Sequence, residues 1–244
     1  MNRRWIIQLI VFTIAMVSND VQSQSLLQKI DAFRVPYAQF LIRTRLTVYN
    51  GKALHETAVF DAYINGDDKS LVVQKEGRNR DMKILYVNEK MWVQLPNARR
   101  PIRITPIQRL MGQASNGDVA MVSYGDGYTA EVESEVEVRG VPCEKVRLIA
   151  RKASATYNRI MLYVRQSDKR PVKAEFYLVS GKHLKTAYYE TYMRINDQDI
   201  LQRMTIVDEL RKEEKTTFEY ELVEEKQIPV KYFNKNYLVH IQGL

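Results

Sequence analysis

The sequence predicts a mainly β protein, laid out as one long meander of about eleven antiparallel strands. Three observations carry that reading. Apolar and polar residues alternate with a period of two over most of the chain, as where Ile42, Thr44, Leu46 and Val48 share one face. The joints between such segments are short and polar: Asn50-Gly51, Asn65-Gly66-Asp67-Asp68, Ser167-Asp168-Lys169, Ser180-Gly181-Lys182 and Asn196-Asp197-Gln198-Asp199. Joints this short make neighbouring strands run antiparallel. No linker or low-complexity stretch interrupts the pattern, so the strands are expected in a single domain.

Taken in order, the chain opens on Arg3 and Arg4, followed by an apolar run from Trp5 to Val17 broken only by Gln8 and Thr13. Val21-Gln22-Ser23 then places permitted residues at the −3 and −1 positions before Gln24. That is the layout of a cleaved export signal over residues 1–23, and the run is well short of the ~20 residues that span a bilayer. The expected product is one exported domain, 24–244, working in the periplasm without a membrane span. Its first residue would be Gln24, not a cysteine that could carry a lipid. Cys143 stands alone and reads as a small buried hydrophobe.

Ser25 to Phe33 has Leu26, Leu27, Ile30 and Phe33 at helical spacing, and Pro36 ends that helix. Strands follow at residues 42–48, 57–64, 71–74, 83–87, 91–95 and 102–105. The second half continues at 128–139, 144–150, 159–165, 172–179, 184–195, 201–210 and 216–224. Over 128–139, Val132, Val136 and Val138 alternate with Glu131, Glu133, Glu135 and Glu137, which predicts one wet face and one buried face. One segment breaks the rhythm. Thr105-Pro106-Ile107-Gln108 has an N-cap residue, a proline at the first helical position and Gln three after the cap, with Ile107, Leu110 and Met111 as an apolar stripe before Gly112. A short helix over 106–112 is expected, either as a lid on the open side of a curled sheet or as a plain connector.

The sequence carries no catalytic motif. His55, His183 and His240 are far apart and match no metal-ligand spacing. Gly125-Asp126-Gly127-Tyr128-Thr129-Ala130 spells G-x-G-x-x-A but opens a strand rather than a helix, so it reads as a turn. The expectation is a protein that is not an enzyme, with no cofactor and no metal. The net charge of +8 suits an anionic membrane surface or acidic partners, or simply solvated strand faces, and the expected compartment argues against nucleic acid. Trp92, Phe60, Phe176, Tyr188, Tyr192 and Phe218 are candidates to line a lipid-sized pocket with Ile107, Leu110 and Met111; the same aromatics would serve equally as core.

Met82-Lys83-Ile84-Leu85-Tyr86, Met91-Trp92-Val93-Gln94-Leu95-Pro96, Arg99-Arg100-Pro101-Ile102-Arg103-Ile104, Gln108-Arg109-Leu110-Met111-Gly112, Ser115-Asn116-Gly117-Asp118 and Tyr232-Phe233-Asn234-Lys235-Asn236-Tyr237-Leu238 together resemble the outer-membrane lipoprotein-sorting protein family, LolA-like proteins found beside RND-type exporters. The resemblance implies a half-open antiparallel β-barrel with short helices covering its open side. It implies a monomeric carrier that takes the acyl chains of lipoproteins or lipids into an apolar cavity. It further implies an inner-membrane donor, an RND-type or ABC-type exporter, and an outer-membrane acceptor. The family's basic residue before a proline in an early strand, which holds the lid, has no counterpart there; Arg43 and Arg45 occupy an early strand in another context. A second reading gives the same fold a regulatory task, sensing lipid or mislocalised envelope protein through its outer surface.

Overall fold

The computed structural model describes residues 21–66, 68–125, 127–209, 211, 213–241 and 243–244. Arg3, Arg4 and the run from Trp5 to Val17 lie outside the described residues. Among those described, no helix is long and apolar enough to cross a membrane.

Helix α1 covers described residues 21–31, with Leu27 and Ile30 fully buried on one stripe. Six strands follow: β1 (Gln39–Asn50), β2 (Ala53–Asn65), β3 (Lys69–Glu76), β4 (Lys83–Val87), β5 (Lys90–Gln94) and β6 (Ile102–Ile104). A small hairpin, β7 (Arg109–Met111) and β8 (Ala114–Ser115), leads into helix α2 (Asn116–Ala120). The second block is β9 (Tyr128–Val138), β10 (Val141–Ala150), β11 (Arg159–Arg165), β12 (Pro171–Tyr177), β13 (His183–Ile195), β14 (Gln198–Asp208) and β15 (Glu214–Glu225). Two turns of 3-10 helix, Val230–Phe233 and Lys235–His240, end the fold.

Thirteen strands form one sheet in the order β6-β5-β4-β3-β2-β1-β15-β14-β13-β12-β11-β10-β9, one for each of the thirteen segments placed along the sequence and two more than a meander of about eleven. Every pairing is antiparallel, and the sheet is not closed, since β6 and β9 are its two edges. The first and last strands meet at the centre, with Leu46 opposite Phe218. Each block then meanders outwards. This order has a consequence for the connection from β6 to β9: residues 105–127 begin at one edge and must end at the other. They do so across one face of the sheet, where Met111, Ala114, Val119, Ala120, Val122 and Tyr124 join a single apolar cluster with Leu27 and Ile30 of α1.

That face receives alternate residues of both blocks, among them Phe40, Ile42, Leu46, Phe60, Val72, Ile84, Leu148, Leu162, Phe176, Tyr189 and Phe218. The opposite face carries a smaller cluster, where Ile228, Phe233, Leu238 and Ile241 of the C-terminal segment cover Leu41, Tyr63, Leu71, Val73 and Leu85. A sheet covered on one face by the crossing segment and on the other by the C-terminal segment hides apolar surface on both sides.

Two expectations need correction. Residues 106–112 are not a helix. Gln108 Oε1 accepts the Thr105 N–H at 2.7 Å and Gln108 N–H donates to Thr105 O at 3.1 Å, closing a turn. The carbonyls of Pro106 and Gln108 then accept from Gly117 N and Asn116 N, at 2.9 and 3.0 Å, instead of from residues four ahead. The chain doubles back at Gly112, whose φ of +52° suits glycine and where a Cβ would stand 2.6 Å from Val48 Cγ2. The capping signal is real but lies ten residues on, where Asp118 accepts the Ser115 N–H at 2.7 Å and starts α2. Secondly, the valine side of β9 is not sealed: Val132 is 46% exposed, because β9 is an edge with no strand beyond it.

Candidate functional site

Beneath the crossing segment, between it and the apolar face of the sheet, lies a cavity of about 40 Å³. Tyr86, Met121, Tyr124, Tyr128, Tyr157, Ile160, Phe176 and Tyr189 line it together with Arg34 and Asp118. That is room for one or two water molecules and too little for an acyl chain. Residues Ser154–Tyr157 are shared between its wall and a wider, open groove of about 830 Å³ at the edge of the sheet, bordered by Met91, Ile104, Pro106, Ile107 and Leu178. The groove falls within the ~300–1,000 Å³ usual for ligand pockets. The sheet therefore has a ligand-sized opening outside and tightly packed side chains within.

The crossing segment is fastened to the sheet at one buried point. Lys185 of β13 is 2% exposed, and its Nζ donates to Asp118 Oδ2 at 2.6 Å, to Gln113 O at 2.8 Å and to Ser115 Oγ at 3.2 Å. Tyr157 donates to the other oxygen of Asp118 at 2.7 Å. Burial pushes the Lys185 ammonium down from its ordinary value, and Asp118 works against that. Burial, and then the Asp118 charge, hold the Tyr157 phenol well above its usual range. All three ammonium protons have acceptors, so this is a buried pair with its hydrogen bonds complete.

A second buried cation sits where α1 ends. Arg34 is 6% exposed and lies 4.5 Å from the Tyr124 ring centre. Burial disfavours its charge and the nearby Asp31 favours it, and a guanidinium does not give up its proton in a protein, so it stays ionised. Asp31 is engaged elsewhere: it accepts Tyr124 N–H at 2.9 Å, Gly125 N–H at 2.7 Å and the Ser123 hydroxyl at 2.8 Å. Its carboxyl is raised by burial, against those bonds. Tyr220 lies close by, and Nε and Nη1 of Arg34 have no hydrogen-bond partner among the described residues.

The residues nominated from sequence are distributed as follows. Phe60, Phe176 and Phe218 are buried on the covered face, and Phe176 alone of the three reaches the cavity. Ile107, Leu110 and Met111 pack against the same cluster from the turn and β7, with Ile107 also bordering the groove. Tyr192 packs at the margin of that cluster, donates to Pro171 O at 2.6 Å and meets Phe33 edge-on. Trp92 and Tyr188 point the other way. Trp92 joins the cluster under the C-terminal segment, and Tyr188, next to inward Tyr189, lies under Arg139 at 4.0 Å. Arg43 and Arg45 lie on that outer face as well, where Arg43 grips Asp61 through two bonds of 2.7 Å and Arg45 pairs with Glu221 at 2.5 Å. Sequence reasoning passed over Arg34, Asp118, Tyr124, Tyr157 and Lys185. A signal was present for two of them: Arg34 continues the Leu27–Ile30 helical stripe, and Lys185 shares strand parity with Ala187 and Tyr189. A charge on a core-facing position marks a site.

A family model described as an uncharacterized protein matches residues 66–240. Among solved structures, a LolA superfamily protein from Nitrosomonas europaea is 30% identical, with a TM-score of 0.82 over 88% of this chain and 98% of that one. A domain assigned to an outer membrane lipoprotein-sorting protein of Vibrio parahaemolyticus is 17% identical, with a TM-score of 0.74 over 91% of this chain and all of that one. A DUF1329 family protein from Desulfovibrio piger is 19% identical, with a TM-score of 0.73 over 90% of this chain and 99% of that one. The last two share the fold. No curated protein matches the sequence.

Proposed function

The chain belongs to the LolA superfamily, and from that premise we propose that it is a periplasmic carrier which takes acyl chains of lipids or lipoproteins between the sheet and its crossing segment and moves them from the inner to the outer membrane. The observation that carries this reading is the large antiparallel sheet left open at β6 and β9, with an apolar face covered by a segment that is packed on it rather than woven into it. Such a cover can be displaced without breaking the thirteen-strand ladder. Acyl chains entering from the groove at Ile104, Ile107 and Leu178 would replace the crossing segment's own apolar contacts, at ~0.8 kcal/mol per CH₂ buried. The proposed cycle begins with export guided by residues 1–23. Donor and acceptor then load and unload the cavity, the donor being an RND-type or ABC-type exporter.

The test is lipid transfer between vesicles. Donor vesicles carrying a fluorescent diacyl lipid are mixed with unlabelled acceptors and the purified protein. The reading expects transfer that rises with protein concentration and saturates with lipid. Transfer no faster than in its absence would overturn the carrier function.

A further inference from the structure

The carrier reading leaves one buried group without a task. Arg34 lines the cavity, carries a full positive charge there, and has two nitrogens, Nε and Nη1, without a hydrogen-bond partner among the described residues. A buried charge in this condition is costly, since desolvation is not recovered by hydrogen bonds. Folded proteins leave few such groups, and each calls for a physical account. Lys185, in the wall of the same covered face, shows that the fold can satisfy a buried cation completely. Asp31 does not neutralise Arg34 by contact, because its oxygens are taken by Ser123, Tyr124 and Gly125. What lies beside the guanidinium instead is neutral hydroxyl: the Tyr124 and Tyr189 hydroxyls meet at 3.0 Å, and the Tyr124 ring centre is 4.5 Å from it.

We propose that Arg34, with the hydroxyls of Tyr124 and Tyr189, is a binding site for the carboxylate of a long-chain fatty acid, whose chain runs past Phe176 and Ile160 towards the groove at Ser154–Tyr157. The inference rests on the carrier reading and names the head group that the cavity selects. The chemistry is specific. A carboxylate is acceptor-only, carries one negative charge and can answer a guanidinium and two phenols at once. A cavity of about 40 Å³ matches the carboxylate head alone, and the first carbons of the chain would part the apolar wall of Met121, Ile160, Phe176, Met204 and Ile206. A methyl ester keeps the chain and the carbonyl but brings no charge to meet Arg34.

The experiment titrates the purified protein, by its intrinsic fluorescence, with myristate, with methyl myristate and with vesicles of phosphatidylglycerol. The expected result is that myristate binds at least about tenfold more tightly than its methyl ester, the scale of one charge-assisted contact. Arg34→Met should erase that preference and leave methyl myristate affinity unchanged. Tyr189→Phe, which preserves the ring and removes one hydroxyl, should reduce the preference and serves if Arg34→Met does not fold. A preference for myristate that survives both substitutions overturns the Arg34 site while the carrier reading stands. Tighter binding of phosphatidylglycerol than of myristate overturns the carboxylate assignment in favour of a phosphodiester. Binding of none of the three overturns the carrier reading itself.

Discussion

Among the described residues, the covered face of the sheet holds two buried cations, and they are treated differently. Lys185 has an acceptor for each of its protons and ties the crossing segment to β13 through Asp118, Ser115 and Gln113. Arg34, at the end of α1, keeps its charge among tyrosines with two nitrogens unpartnered among the described residues. Burial and charge are alike in the two cases; the count of partners is not. A cation whose bonds are complete belongs to the architecture, and one whose bonds are incomplete is available to something that arrives later. The contrast divides the cavity into a fastened side, at α2, and a receptive side, at the end of α1.

Removing Asp118 should produce the largest effect. Asp118→Ala leaves Lys185 buried without its counter-charge and frees the Tyr157 hydroxyl, and about 3–5 kcal/mol of unfolding free energy should be lost, as read by urea denaturation. Adding Lys185→Met to that variant should recover part of the loss, since the stranded charge is gone; a double variant as unstable as the sum of the singles would show that the pair is not coupled. Arg34→Met should do the reverse. It removes a charge with incomplete bonds and gives up only its packing on Tyr124, so stability should stay the same or rise by up to about 2 kcal/mol in the same measurement. A loss comparable to that of Asp118→Ala would make Arg34 structural and end the contrast.

Two smaller tests calibrate the scale. Asp168 sits in a surface turn with its carboxyl held below the ordinary carboxylate range by Arg165. A carboxylate with a depressed folded value stabilises above its unfolded pKa and loses that contribution as pH falls through the folded value. Asp168→Asn should therefore cost less than about 1 kcal/mol at neutral pH, a cost that disappears in acid below the ordinary Asp range. Thr105→Ala should change stability by less than about 0.5 kcal/mol, because Thr105 is exposed and caps no helix. A loss near the ~1 kcal/mol of a true N-cap would restore the helix that its sequence suggested.

Much of the fold was legible before the structure, because its signals are local. Period-two alternation and turns such as Asn50-Gly51 located the strands to within a few residues, and the helical stripe of Leu27 and Ile30 located α1. What was not legible depends on distance. That β1 pairs with β15, and that residues 105–127 must therefore cross the sheet from edge to edge, is a property of topology and not of any window of sequence. The same crossing explains the lost helix at 106–112: its carbonyls are claimed by Asn116 and Gly117. Of the site, the apolar lining was partly readable, and strand parity alone separates inward Tyr189 from outward Tyr188, and Met91 from Trp92. Arg34 and Lys185 stood on core-facing positions in plain view. Composition counts them among dispersed surface charges, and only placement shows what each lacks or possesses.

The central claim is that the covered face receives acyl chains, and what the protein carries when it leaves the cell tests it most directly. The protein is purified from the periplasmic fraction without detergent, extracted with organic solvent and analysed by mass spectrometry beside an exported protein of similar charge. The account predicts an acylated species approaching one per protein molecule, with free fatty acid among it and depleted in Arg34→Met. An extract no richer in acyl chains than the control would contradict it.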